Sequence, residues 1–150
     1  MSKARRNFEG FSIIELLIVV ALILIIAAIA IPNLLKARMS ANEGSATASM
    51  RTIGSGELLY RSTQGVFTTL SGLSQDSVID HLLGAGAKSG YTFAAVPGAV
   101  ACSQFTAAAA PQVSAGFAAS GNRFFWIDET QVLRFEVGVV ATSTSSPIGD

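Results

Sequence analysis

Residues 11–31 constrain this chain more than any other stretch, because Ser12 and Glu15 are the only polar side chains in a run of Ile, Leu, Val, Ala and Phe. Coiled as a helix, the run reaches roughly 30 Å, the thickness of a bilayer's hydrocarbon core. It predicts a membrane span. Half of the 150 residues are hydrophobic and 13% are charged. The span absorbs much of that excess and leaves room for one further domain.

The formal charge is zero, but it is unevenly placed. Lys3, Arg5 and Arg6 stand against Glu9 alone in the first ten residues, while residues 11–150 hold seven basic and nine acidic side chains. Basic residues before the span and a long segment after it favour an N-terminus left in the cytoplasm, a bias that Lys36 and Arg38 weaken without reversing. Arg38, Arg51, Arg61, Arg123 and Arg134 are scattered among acids, so there is no basic footprint for nucleic acid. Cys102 is the single cysteine. No intramolecular disulfide is possible, and burial as a small hydrophobe is the expectation for its thiol.

Beyond the span the pattern stays helical but becomes amphipathic. Leu35, Met39, Ala46, Ile53 and Tyr60, with Met50 close by, form one stripe, while Asn42, Glu43, Ser45, Thr47, Ser49, Arg51 and Glu57 are expected to face elsewhere. The helix is read to about Arg61. Pro32 inside it removes a backbone donor at a cost of about 3 kcal/mol and predicts a kink. Gly44, Gly54 and Gly56 each cost about 1 kcal/mol relative to Ala, so they soften the helix or admit a close neighbour.

Residues 62–75 read as a loop packed on the domain and residues 76–83 as a short helix. Strands are predicted at 91–96, 104–109, 123–127 and 132–137, the last two joined through Asp128, Glu129 and Thr130 as a hairpin. The Ala-rich stretch 107–119 carries little information, and the Ser/Thr cluster at 142–147 reads as a mobile tail. The fold class is therefore α+β: a long N-terminal helix packed on a small antiparallel sheet. The organisation is a leader at 1–10, the span at 11–31, an amphipathic half-helix at 32–61 and a sheet domain at 62–150.

The segment Gly10-Phe11-Ser12-Ile13-Ile14-Glu15-Leu16-Leu17-Ile18-Val19, behind its short basic leader, resembles the signature of type IV pilins and type II secretion pseudopilins. The resemblance continues through Pro32 and covers roughly the first 60 residues; Gly90-Tyr91-Thr92-Phe93 and the run Phe125 to Thr130 are similar to the pilin sheet. It implies cleavage between Gly10 and Phe11 by a prepilin peptidase, N-methylation of Phe11, and a need for Glu15. It implies as partners copies of the chain itself, the peptidase/methyltransferase, an inner-membrane assembly platform and, before assembly, the lipid bilayer. The implied location is the bacterial inner membrane, with the globular domain periplasmic or external, and then an extracellular pilus or a periplasmic pseudopilus. Two departures bear on subtype. Leu24 stands where many pilins carry a helix-weakening Gly, and the paired cysteines that staple the C-terminal loop of many major pilins are absent.

A carboxylate in an apolar span costs roughly 2.5–3.5 kcal/mol on insertion scales. Glu15 lies only about 6 Å along the axis from Phe11. It either snorkels to the interface beside the positive helix N-terminus, or accepts the amine of Phe11 from a neighbouring subunit, a pair that would fix axial register in a water-poor bundle.

Other chemistry is thin. His81 beside Asp80 is the only His-carboxylate neighbour pair, and no Cys/His ligand spacing occurs. Asp128 and Glu129 read as a turn in preference to a calcium site. With no phosphate loop, assembly energy must come from a separate ATPase. Phe124 and Trp126 share a strand face opposite Phe125, and packing is expected for them. No enzyme activity, metal or cofactor is expected. Ala28-Ile29-Ala30 resembles a signal-peptidase site, but its apolar region is too long and Pro32 follows too closely. A membrane-anchored domain that never polymerises is separated from the filament reading by the leader motif. A pilus subunit is favoured over a secretion pseudopilin, although both share the N-terminal half.

Overall fold

The computed structural model describes residues 11–100 and 102–149. Helix α1 is Ile13–Gln64, with Pro32 inside it. The chain divides into two compact units, Met1–Leu35 and Lys36–Asp150. In the first, the described residues are the apolar half of α1. The second contains the rest of α1, two short helices, α2 (Leu70–Gln75) and α3 (His81–Gly84), and six strands. These are β1 (Ala87–Lys88), β2 (Tyr91–Pro97), β3 (Phe105–Pro111), β4 (Arg123–Asp128), β5 (Arg134–Val137) and β6 (Ser146–Pro147), hydrogen-bonded in chain order as one antiparallel sheet.

A two-residue period decides which side of the sheet faces the core. Tyr91, Phe93 and Ala95 on β2, Phe105, Ala107 and Ala109 on β3, and Phe125 and Ile127 on β4 are buried. Ala109 pairs with Phe93 on one side and Phe125 on the other. The small residues of β3 leave space above that strand, and the Tyr91 and Phe125 rings, two strands apart, meet at 5.8 Å between centroids. The Ala-rich run thus has a structural use that its composition did not announce. Ala46, Met50 and Ile53 of α1 complete this core with Phe67, Leu70, Leu73, Ile79 and Leu83.

Polar contacts fix α1 on the sheet within the second unit. The Asn42 side-chain amide donates to the Ser120 carbonyl at 2.9 Å. Glu43 accepts from the Asn122 amide at 2.9 Å and lies 3.6 Å from Arg123. The Gln131 side chain donates to the Gly54 carbonyl at 3.2 Å. The Tyr91 hydroxyl donates to the Arg123 carbonyl at 2.9 Å, and burial, with the Glu43 charge adding, pushes the phenol up to about 12.

Several expectations change. The helix expected at 76–83 is reduced to α3, which starts only at His81: Ser77 takes a positive φ of 58°, which interrupts a helix, and the Asp80 carboxylate caps α3 by accepting from the Leu83 amide. The loop expected at 62–75 therefore contains the end of α1 and all of α2. Residues 142–147 are not a loose tail, since β6 pairs with β5 and Ser145 is buried while accepting through its hydroxyl from the Thr142 amide. Cys102 is exposed. Phe124 and Trp126 lie half-buried on the outer face, and the buried pair on β4 is Phe125 and Ile127. Strand β1 was not expected; its hairpin to β2 turns through Ser89 and Gly90, both at positive φ, the geometry of a two-residue primed turn.

Gly54 and Gly44 have opposite surroundings. A Cβ on Gly54 would stand 2.6 Å from Gln131 Oε1 and 2.9 Å from Ile127 Cδ1, whereas one on Gly44 would meet nothing within 4 Å. Gly44→Ala should therefore raise stability by up to about 1 kcal/mol. Gly54→Ala should lower it by about 1–3 kcal/mol through overpacking and displacement of Gln131. Denaturant unfolding in detergent, followed by Trp126 fluorescence, reads both.

Candidate processing and assembly segment

Helical hydrogen bonding begins at Ser12, whose carbonyl accepts from the Leu16 amide at 3.2 Å. Phe11 precedes it with 72% of its surface exposed. Glu15 lies in the first turn of α1, where the exposed amides of a helix N-terminus favour a negative charge. Phe11 thus stands at the entrance of α1 and Glu15 in its first turn, with the apolar run continuing below them to Ile31.

Gly10 lies outside the described residues, as do Lys3, Arg5, Arg6 and Glu9. The cleavage expectation therefore rests on the sequence around Gly10. Among the described residues, Glu15 enters no ion pair.

The large apolar side chains from Ile13 to Ile31 are exposed, from 44% at Val19 to 81% at Ile13. The apolar window of α1 is long enough to cross a membrane, and none of it is buried within the chain. A buried core helix of a water-soluble domain would be covered. Exposed apolar surface on this scale requires lipid or protein against it.

Elsewhere the ionisable groups serve the fold. Asp80 forms a 2.9 Å ion pair with Lys88, whose hydrogen bond, with the Leu83 amide, holds the Asp80 carboxyl below its usual range. Its partners are those groups and not His81. Asp128 accepts from the amide and the hydroxyl of Thr130 and closes a turn there, while β5 starts only at Arg134, so the hairpin loop is longer than the three residues expected. A groove lined by Arg51, Ser55, Ile127, Gln131, Leu133 and Ile148 holds Arg51 as its only ionisable side chain among the described residues, without the acid–base pair that general acid–base catalysis uses.

Two buried groups, Ser49 and Glu57, were misplaced by sequence reasoning. Glu57 was expected to face away from the core, yet it is fully buried, and desolvation raises its carboxyl above the usual range. A signal for it existed: Ala46, Met50, Ile53, Glu57 and Tyr60 follow one another at steps of three and four, so Glu57 falls inside the apolar stripe.

Residues 5–31 match the model of the prokaryotic N-terminal methylation motif. Phe11 and Glu15 lie inside the match, as does Gly10. The chain is 44% identical over 64 residues to the type IV wide pilus major component PilA4 of Thermus thermophilus, an alignment that covers 43% of this chain and 49% of PilA4. The chain thus spans about half the length of the curated relative it matches.

If residues 11–31 carry the uncovered apolar surface, a chain beginning at Lys36 should be soluble and monomeric, because the second unit encloses its own core. Sedimentation velocity checks this. Association of that shortened chain would show that surface outside residues 11–31 also drives self-contact.

Proposed function

We infer that this chain, whose methylation motif and 44% identity to a type IV pilus component support a type IV pilin-family protein, is a structural subunit that polymerises into a pilus through residues 11–31. The observation that carries this reading is the exposed apolar half of α1, headed by Phe11 and Glu15 within the methylation-motif match. A pilus is favoured over a secretion pseudopilus because the relative's own description is that of a pilus major component.

In this reading the subunit is made as a precursor in the inner membrane, with residues 1–10 in the cytoplasm and the sheet domain on the other side. A prepilin peptidase cuts between Gly10 and Phe11 and methylates the new amine. Lipid covers residues 11–31 until an assembly platform, driven by a separate ATPase, moves the subunit into the filament. There neighbouring helices replace lipid, and their side chains supply the dispersion attraction that acyl chains supplied before. Pro32 marks the exit from the apolar half.

Glu15 supplies register. Cleavage leaves a positive amine on Phe11, and a neighbour's Glu15 accepts it in the helical bundle. In a water-poor core either charge left alone is strongly unfavourable, so an axial slip that separates them is resisted more sharply than aliphatic packing alone could achieve. Family membership of this kind describes a structural protein, and no catalytic role enters the proposal.

Intact-protein mass spectrometry of sheared filaments tests the processing step. The expected chain begins at N-methylated Phe11; a mature start at Ile31, or an intact Met1 in assembled fibres, would overturn it. Glu15→Gln tests the pairing, because it keeps size while removing charge. Membrane insertion and cleavage should persist, while filament yield by electron microscopy falls at least about tenfold and processed subunit accumulates. Wild-type yield from Glu15→Gln would leave a snorkelling carboxylate as the account of this residue.

A further inference from the structure

Glu57 is the only fully buried carboxyl group among the described residues, with 0% of its surface exposed. Its Oε2 accepts from the Thr68 amide at 3.0 Å, and its Oε1 is buried with no hydrogen-bond partner. Thr68 belongs to the segment that folds back after α1. There the Gly65 amide donates to the Arg61 carbonyl at 2.8 Å and Gly65 turns at a φ of 77°; Phe67 enters the core, and α2 follows. Among the described hydrogen bonds, Glu57–Thr68 is the one side-chain tie from α1 to residues 66–79. The remaining attachment is apolar, through Phe67, Leu70, Leu73 and Ile79, with Val78 and Ile79 close against Gly56, apart from the exposed Arg61 guanidinium over the Phe67 ring.

A carboxylate in this position has half the partners it needs. Ionised, it holds one amide donor and no counter-ion, so separation of residues 66–79 from α1, which would admit water to both oxygens, relieves it. Neutral, it has no charge to solvate, and the apolar contacts hold the segment. The charged groups on neighbouring elements do not alter this. Arg61, one turn further along α1, sits over the Phe67 ring at 5.2 Å; Asp76, Asp80 and His81 are exposed, and Asp80 is paired with Lys88. The inner face of the sheet turns apolar side chains and the Tyr91 phenol toward the core.

We propose that Glu57 is a protonation-controlled latch holding residues 66–79 against α1, closed while its carboxyl is neutral and loosened once the proton leaves for solvent. The direction of the pH response follows from burial, which raises the Glu57 carboxyl above its ordinary 4.5 and outweighs the opposing Thr68 amide. The closed arrangement therefore binds the proton more tightly than the open one. The latch is at full strength below 4.5 and weakens as pH rises through the elevated folded-state value.

Amide hydrogen exchange of the full chain in detergent micelles, corrected for intrinsic rates, tests the latch at Thr68 and at the Val78 and Ile79 amides, which donate to the Leu73 carbonyl. Between pH about 4.5 and about 8 their protection should fall at least about tenfold, while amides of the paired β3 and β4 change less than about twofold. Glu57→Gln, neutral throughout, should hold the latch closed with less than about a twofold change over the same range. Infrared difference spectra should show a protonated-carboxyl band that titrates above 4.5 in the wild type and is missing in Glu57→Gln. Flat protection in the wild type, an equal loss in Glu57→Gln, or parallel loss in β3 and β4 would each overturn the latch. Should Glu57→Gln fail to fold, the wild-type exchange profile and infrared band decide alone.

Discussion

Burial of the apolar side chains at 13–31 is the interaction on which this protein's organisation rests, and the described chain does not provide it. Ile13, Ile14, Leu17 and Ile26 each expose more than three-fifths of their surface. A chain that ends its own folding with such a surface is complete only inside another medium, first hydrocarbon and then, in the proposed reading, copies of itself. The placement of Glu15 gains its meaning from this. A carboxylate in the first turn of an uncovered helix is tolerable at a membrane interface, and becomes specific only where a positive group meets it away from water.

The second half of α1 solves the opposite problem. From Ala46 onward its stripe is covered by the inner face of the sheet and by the segment carrying Phe67, Leu73 and Ile79, and the same helix changes from a surface that needs other molecules to one that its own domain satisfies. Gly54 and Gly56 are placed where neighbouring side chains come close, and Asn42, Glu43 and the Gly54 carbonyl are bonded to the loops that join β3 to β4 and β4 to β5. The polar contacts set how α1 lies on the strands, while the aromatic rings meeting over Ala109 supply the packed interior.

How much of this the sequence disclosed depended on whether the signal was local. The long apolar N-terminal helix and the four longer strands follow from hydrophobic runs and two-residue alternation, and each is found within a few residues of its expected place. The two-residue strands β1 and β6 were missed because pairing with a neighbour defines them, although the Ser89-Gly90 turn pointed to the first. The helix expected at 76–83 starts only at His81 because a positive φ at Ser77 cannot be read from composition. Cys102 defied a base tendency, since the loop that carries it leaves it exposed. Glu57 was lost to a habit of assigning charged residues to the solvent face even where helical spacing put it in the core. Gly10 lies outside the described residues, and its role stays with the sequence motif.

The central claim, that the uncovered helix is buried against copies of itself in a register set by Glu15 and the Phe11 amine, is tested most directly in the filament. Filaments assembled from a mixture of subunits, some carrying nitrogen-15 at Phe11 and the others carbon-13 at the Glu15 carboxyl, permit a dipolar transfer between these atoms only across a subunit boundary. The account predicts a strong solid-state NMR transfer at hydrogen-bonding distance in filaments and none from the same mixture dispersed in detergent. Filaments in which the Phe11 amine and the Glu15 carboxyl of different subunits give no transfer would contradict it.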